Sequence, residues 1–285
     1  MGQACYRASA EARALFKQAD VVLGYSLSEL CFDGPVEKLN QTQFAQPALF
    51  VTTLAMWAAV KGTLQEALAF VAGHSVGEFA ALTVAEGLDF ADGLQVVAER
   101  GRLMAEAGEK TPGGMAVLLG ATLEAAESLC AECAALTGEP LVIANDNCPG
   151  QVVISGAMAA LEEAAQHARA HGVRRVLRLA VSVAPHSPLM APLQDSLASL
   201  LATVRIRTPR IPVVFNATAM PIHDTKLICE ALIHQLVAPV RWRDSLLWMA
   251  AQGVSRFREV GPKAVLTGLV QRTLPTVDAV AMDCA

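Results

Sequence analysis

The stretch VAGHSVGEFA, residues 71–80, sets Ser75 between Gly73 and Gly77 with His74 against it. The apolar run ahead of it, LAFVA, reads as a short buried strand, and VGEFAALTVAEG behind it reads as a helix closed by Gly87. A strand that turns sharply into a helix through G-x-S-x-G is a nucleophile elbow. It presents the serine hydroxyl at the carboxyl end of a strand and at the positive end of the next helix. Both glycines suit a turn with no room for a Cβ. In that setting the Val76 N–H can donate to an oxyanion, and Glu78 in the first helical turn suits the helix dipole.

Outward from the elbow, QPALFVTTLAMWAAVKGTL reads as a helix with Pro47 in its first turn. FADGLQVVAERGRLMAEAG reads as another, with Arg100 and Met104 one turn apart. From Gly114 the rhythm changes to strand 115–119, helix 122–136, strand 141–144, strand 151–155, helix 158–171 and strand 175–179. That order, βαββαβ, is the ferredoxin-like pattern. IPVVFN and RFREVG then read as strands returning to the main sheet. The expected fold is α/β. A large α/β-hydrolase-like domain with a mostly parallel sheet, residues 1–112 and 182–285, carries an inserted ferredoxin-like small domain, residues 113–181. A cleft between two such bodies suits a substrate.

Composition narrows the function. The chain has 285 residues, 53% of them apolar, a share inflated by alanine. Its uninterrupted apolar runs fall short of the roughly 20 residues that cross a bilayer, and no basic stretch leads into an apolar core at the start, so it reads as soluble with no membrane partner. MGQACY has Tyr6 where a myristoylation motif wants Ser or Thr. A net charge of −5 with scattered Lys and Arg argues against nucleic acid. Seven cysteines without regular spacing read as reduced thiols of a cytoplasmic protein. Cys130 and Cys133 form a single C-x-x-C in an alanine-rich run and read as helix packing, since a structural zinc needs four ligands. His167 and His171, one turn apart, lack the glutamate or third ligand of a metal site and read as an exposed helix face. No metal and no cofactor are expected.

A serine nucleophile needs a base. His186, in VSVAPHSPLM, follows the last strand of the inserted unit, where a loop leaves a strand end toward the cleft. The competing reading is a helix-start histidine held by its neighbours. His74 diverges from Ser75 on the turn and reads as packing beside the pocket. His223 and His234 lack a comparable setting. No Asp follows Ser75 in a post-strand position before His186, so a backbone carbonyl is the alternative means of orienting the imidazole.

Seven segments in order, QTQFAQPALF, GHSVGE, AERGRLM, NDNCPGQVVISG, HSPLM, PVRW and FREVGPKAVLTGL, make the chain resemble the malonyl-CoA:acyl carrier protein transacylases and the related acyltransferase domains of polyketide synthases. The resemblance implies that Ser75 is acylated and that His186 is general base, then general acid to the leaving thiol. It implies that Arg100 pairs with the free carboxylate of a malonyl group, that Gln46 and His74 line the acyl pocket, and that Asn145 and Asn147 sit at its mouth. It assigns the orienting carbonyl to Gln252, in AAQGV, and one oxyanion donor to Val76. The implied reaction is ping-pong. Malonyl-CoA acylates Ser75, and the phosphopantetheine thiol of an acyl carrier protein collects the malonyl group, with the enzyme acting as a monomer. Val76, where methylmalonyl-selective domains carry Gln, and the VAPH loop favour malonyl.

Family members begin with a strand and a GQGSQ-like loop whose glutamine N–H is the second oxyanion donor. Met1 and Gly2 align just after that loop, and Lys263 stands where the family has glycine. Three rivals stay open. A serine thioesterase or esterase of the α/β-hydrolase type shares the elbow. A malonyl-transferring subunit of a malonate decarboxylase shares the chemistry, and a remnant that only binds a carrier protein shares the surface.

Overall fold

A computed structural model describes residues 1–64 and 66–284. Four helices open the chain: α1 (Gln3–Ala8), α2 (Ala10–Leu23), α3 (Leu27–Asp33) and α4 (Val36–Leu39). Ser9 and Ser26 cap α2 and α3 with their side chains. The long helix α5 (Thr42–Val60) follows. It starts five residues before Pro47 because the Gln41 carbonyl already accepts from the Phe44 and Ala45 N–H groups. Pro47 therefore lies inside the helix rather than in its first turn, and Gln46 is carried on a helical face.

The elbow joins strand β1 (Val71–Ala72) to α6 (Gly77–Val84), and α7 (Phe90–Lys110) lies after it. Gly87 does not supply the left-handed residue at the end of α6. Glu86 does, at φ 59°, while Gly87 has no room for a Cβ beside Leu82. Next come β2 (Gly113–Leu119), α8 (Leu123–Thr137), β3 (Leu141–Cys148), β4 (Gln151–Ala157), α9 (Met158–His167) and β5 (Arg175–Arg178). Their sheet is antiparallel in the order β3-β4-β2-β5, the strand order of a ferredoxin-like unit. Ala126, Leu129, Cys130, Cys133, Leu161 and Ala164 of its helices pack on Leu118, Val152 and Ile154 of its strands.

The remaining elements are α10 (Gln194–Leu201), β6 (Val213–Phe215), β7 (Met220–Pro221), α11 (Thr225–His234), α12 (Trp242–Ala251), β8 (Arg256–Glu259), α13 (Val265–Thr273) and β9 (Asp278–Ala281). Strand β6 pairs with β1 in parallel, and β7 adds an antiparallel edge. Strand β8 corrects the expectation of a single main sheet, because among the described residues it pairs only with β9, in parallel. A cavity of about 1050 Å³ is lined by Val71 and Ala72 of β1 and by Phe257 and Arg258 of β8, among others.

The largest core joins Phe16, Phe50 and Phe79 with aliphatic side chains of α2, α5, α6 and α7. Each such buried side chain stabilises the fold by about 1.5–3 kcal/mol relative to exposure. Thr42–Thr63 is long and apolar enough to cross a membrane, but 56% of its most apolar window is buried in this core. The thiol expectation is also corrected. Cys5 and Cys284, with Cα atoms 5.1 Å apart, form a disulfide, and five cysteines are free.

Candidate active site

Ser75 sits at φ 52°, in the left-handed region that side chains with a Cβ rarely occupy. Asn216, directly after β6, holds it there: its Oδ1 accepts from the Ser75 N–H at 2.7 Å and its Nδ2 donates to the Gly73 carbonyl at 2.7 Å. Gly73 is required by space, since a Cβ there would lie 2.0 Å from the Gly77 main chain. Gly77 is not, because a Cβ on it would meet nothing within 4 Å. Of the elbow amides, Ser75 donates to Asn216, Gly77 to the His74 carbonyl and Glu78 to the Ser75 carbonyl. The Val76 N–H meets no protein acceptor among the described residues.

His186 lies with its Nε2 2.9 Å from the Ser75 Oγ. It too has a positive φ, 60°, and is 2% exposed. The end of α11 holds it. The chain turns directly after α11, and the main-chain carbonyls of that turn face the histidine. Gln235 and Ala238 accept from His186 Nδ1 at 2.8 and 3.1 Å, and the Leu236 carbonyl accepts from its main-chain N–H at 2.9 Å. With Nδ1 as donor, Nε2 carries the lone pair that faces Ser75. Burial, aided by the positive charge of Arg100, pushes the imidazole down to about 3, so it is neutral and able to accept a proton. The expectation that Gln252 supplies the orienting carbonyl is overturned. Gln252 is exposed at the end of α12, and the carbonyls belong to Gln235 and Ala238.

Arg100 is 2% exposed in the middle of α7. Gly101 beside it lets α7 approach α5 until a Cβ would stand 2.9 Å from the Thr42 carbonyl. The guanidinium donates Nη1 to the Gln46 Oε1 and Nη2 to the Gln235 Oε1 at 2.9 Å, with the Ser75 Oγ 3.5 Å from Nη2. Its Nε–H has no partner among the described residues. Burial lowers its pKa to about 10, against the opposing effect of Glu78, so the group is charged at neutral pH. The guanidinium is thus buried, held by the amides of Gln46 and Gln235, with its Nη2 beside the nucleophile.

His74 turns away from the serine. Its Nε2 lies 2.8 Å from the Asn147 Oδ1, its ring packs on Trp242, and burial keeps it neutral. Asn147 in turn donates to the Gln151 Oε1, tying β3 and β4 to the elbow. Asn145 is buried in β3, where it bridges to Val240. Thus Ser75, His186, Arg100 and Gln46 converge, His74 and Asn147 pair beside them, and Asn145 braces the strand behind.

Asn216, Gln235 and Ala238 were not foreseen. An Asn closing the apolar run VVF was the available signal for the first. A main-chain carbonyl leaves no signature in residue type, so Gln235 and Ala238 had none. His167 and His171 both contact the Glu132 carboxylate. No group of three or more His, Cys, Asp or Glu among the described residues is arranged to hold a metal ion. At Lys263 the backbone is not left-handed, so no glycine is needed there.

A serine on a strained elbow, a neutral histidine in contact with it and a buried cationic clamp beside both define a serine acyl-transfer site. The family model for the acyl transferase domain matches residues 1–283, and the chain belongs to that family. It is 41% identical over 268 residues to the malonyl CoA-acyl carrier protein transacylase of Escherichia coli (strain K12), across 94% of this chain and 86% of that one. The crystal structure of an acyl carrier protein S-malonyltransferase from Vibrio cholerae matches with a TM-score of 0.91 and 41% identity, over 96% of this chain and 89% of that one. A malonyl-transacylase solved in complex with its type II polyketide synthase acyl carrier protein matches at 0.93 and 39%, over 97% and 89%.

Proposed function

We propose that this acyltransferase moves a malonyl group from coenzyme A to the phosphopantetheine thiol of an acyl carrier protein, through an ester on Ser75. The observation that carries the reading is the 2.9 Å contact of Ser75 with a neutral His186, beside an Arg100 that contacts no carboxylate among the described residues. His186 Nε2 takes the hydroxyl proton as Ser75 Oγ attacks the thioester carbonyl. The Val76 N–H donates to the oxyanion of the tetrahedral intermediate. Collapse breaks the C–S bond, and the coenzyme A sulfur leaves with the proton held on His186. The carrier thiol then loses its proton to His186, its sulfur attacks the ester, and Ser75 Oγ recovers the proton. Ser75 and His186 balance every proton in this sequence, and malonyl-CoA enters as substrate.

Arg100 sets the acyl class. A bidentate guanidinium–carboxylate pair rewards the free carboxylate of malonyl, which acetyl lacks. Gln46 and Gln235 hold the guanidinium in place from two sides.

The transferase and hydrolase readings share the acyl-enzyme and part at the acceptor. Purified protein loaded with malonyl-CoA is mixed with a holo acyl carrier protein, and both proteins are weighed intact. Malonyl mass appearing on the carrier supports the proposal; loss of malonyl to water at the same rate with and without carrier contradicts it and favours a thioesterase.

A further inference from the structure

Glu78 is a buried carboxyl group, 1% exposed, at the start of α6, and the acyl-transfer steps above do not use it. Its Oε1 accepts from the main-chain N–H of Asn216, and its Oε2 accepts from the side-chain Nε2 of Gln235. These two residues have different tasks. Asn216 pins the elbow through Gly73 and Ser75. Gln235 gives its side-chain Oε1 to Arg100, while its Nε2 also donates to the Ser75 carbonyl at 3.0 Å. Glu78 makes no direct ion pair with Arg100. The amide of Gln235 stands between them, one end on the carboxyl group and the other on the guanidinium.

We infer that Glu78 is a positioning residue for acyl selectivity: through the side chain of Gln235 it fixes the Arg100 guanidinium relative to Ser75 while leaving the guanidinium open to the substrate carboxylate. The inference rests on the reading of Arg100 as the malonyl clamp. Had the carboxylate stood at position 235, it would pair with Arg100 directly and compete with the substrate. Set one contact back, it holds the same amide in one orientation, because the Nε2 of Gln235 donates both to the Glu78 Oε2 and to the Ser75 carbonyl, and only the NH₂ end of an amide can donate. The carbonyl end is thereby committed to Arg100. The hold on His186 is separate. It uses the main-chain carbonyl of Gln235, which the end of α11 places whatever the side chain does.

Glu78→Gln keeps the size of the side chain but sets a donor against a donor, at Gln235 or at the Asn216 N–H. Acylation of Ser75 by malonyl-CoA and by acetyl-CoA is measured separately for kcat and KM, on protein whose melting temperature is recorded. The ratio of malonyl to acetyl kcat/KM is expected to fall about tenfold, the size of a lost hydrogen bond to a charged group, mainly through the malonyl KM. Gln235→Leu removes the relay but keeps the main-chain carbonyl, and should lower the ratio similarly. The double variant should lower it no further, since both changes break one chain of contacts. An unchanged ratio in Glu78→Gln, equal losses for both acyl groups, or additive losses in the double variant would overturn the inference. A wild-type protein that forms no Ser75 ester, or that loads malonyl no better than acetyl, would instead overturn the underlying reading of the site.

Discussion

Arg100 carries its charge in a place where charge is costly. Among the described residues the buried guanidinium meets two amides and the Ser75 hydroxyl and makes no direct ion pair, so its charge has no counter-ion in contact. Removing it as Arg100→Ala should cut malonyl loading about 10–100-fold, the range for charge-assisted hydrogen bonds, and acetyl loading far less. Comparable losses for the two acyl groups would show that Arg100 does not read the carboxylate. His186 makes a second prediction at this scale. Its pKa is depressed to about 3, so the neutral, proton-accepting form persists as pH falls and is lost only as pH approaches that value. The kcat/KM of Ser75 acylation should therefore show no histidine limb between pH 7 and pH 5. A limb with its midpoint near 6.5 would contradict the buried, neutral imidazole. These roles were only partly readable in advance. A serine between glycines and an arginine one turn from a methionine leave marks in residue type. The carbonyls that orient His186 do not, so the resemblance points to Gln252 where the fold uses Gln235 and Ala238.

At the scale of the element, the elbow depends on its two glycines unequally. Gly73 faces the Gly77 main chain at a distance no Cβ can occupy, whereas Gly77 faces open space without a left-handed φ. Gly73→Ala should abolish soluble, active protein. Gly77→Ala should keep the fold and shift stability by no more than about 1 kcal/mol, with a gain possible through the less flexible unfolded chain. Thermal melts and Ser75 acylation of both variants check this; equal damage from the two would refute the geometry. The motif invites a symmetrical reading of its glycines, and only the packing around each one separates a steric need from a tolerated residue. Elsewhere, local pattern served well. The βαββαβ run was legible because alternating strands and amphipathic helices succeed each other with clear turns between. The start of α5 was not, because Pro47 suggested a first turn while the Gln41 carbonyl begins the helix earlier.

Over the whole molecule, the pairing that pattern could not supply is long-range. That β8 pairs with β9 rather than joining the sheet of β1 is set by long-range packing, which periodicity does not show. The same holds for Cys5 and Cys284, separated by 279 positions and brought together only by the fold. Protein kept oxidised should show five titratable thiols in denaturant, those of Cys31, Cys130, Cys133, Cys148 and Cys229. It should also melt higher than the Cys284→Ser variant, by the equivalent of about 2–4 kcal/mol. All seven thiols titrating under those conditions would show that the pair is not formed; in a reducing compartment the dithiol form is expected.

The central claim joins all three scales: the fold delivers one serine, one neutral histidine and one open arginine to a single point for acyl transfer. Its most direct test is the intact mass of the protein after brief exposure to malonyl-CoA. The wild type should gain one malonyl group, located on Ser75 by peptide mapping, and Ser75→Ala should gain none. A wild-type protein that stays unmodified, or a Ser75→Ala variant that still carries the adduct, would contradict the account.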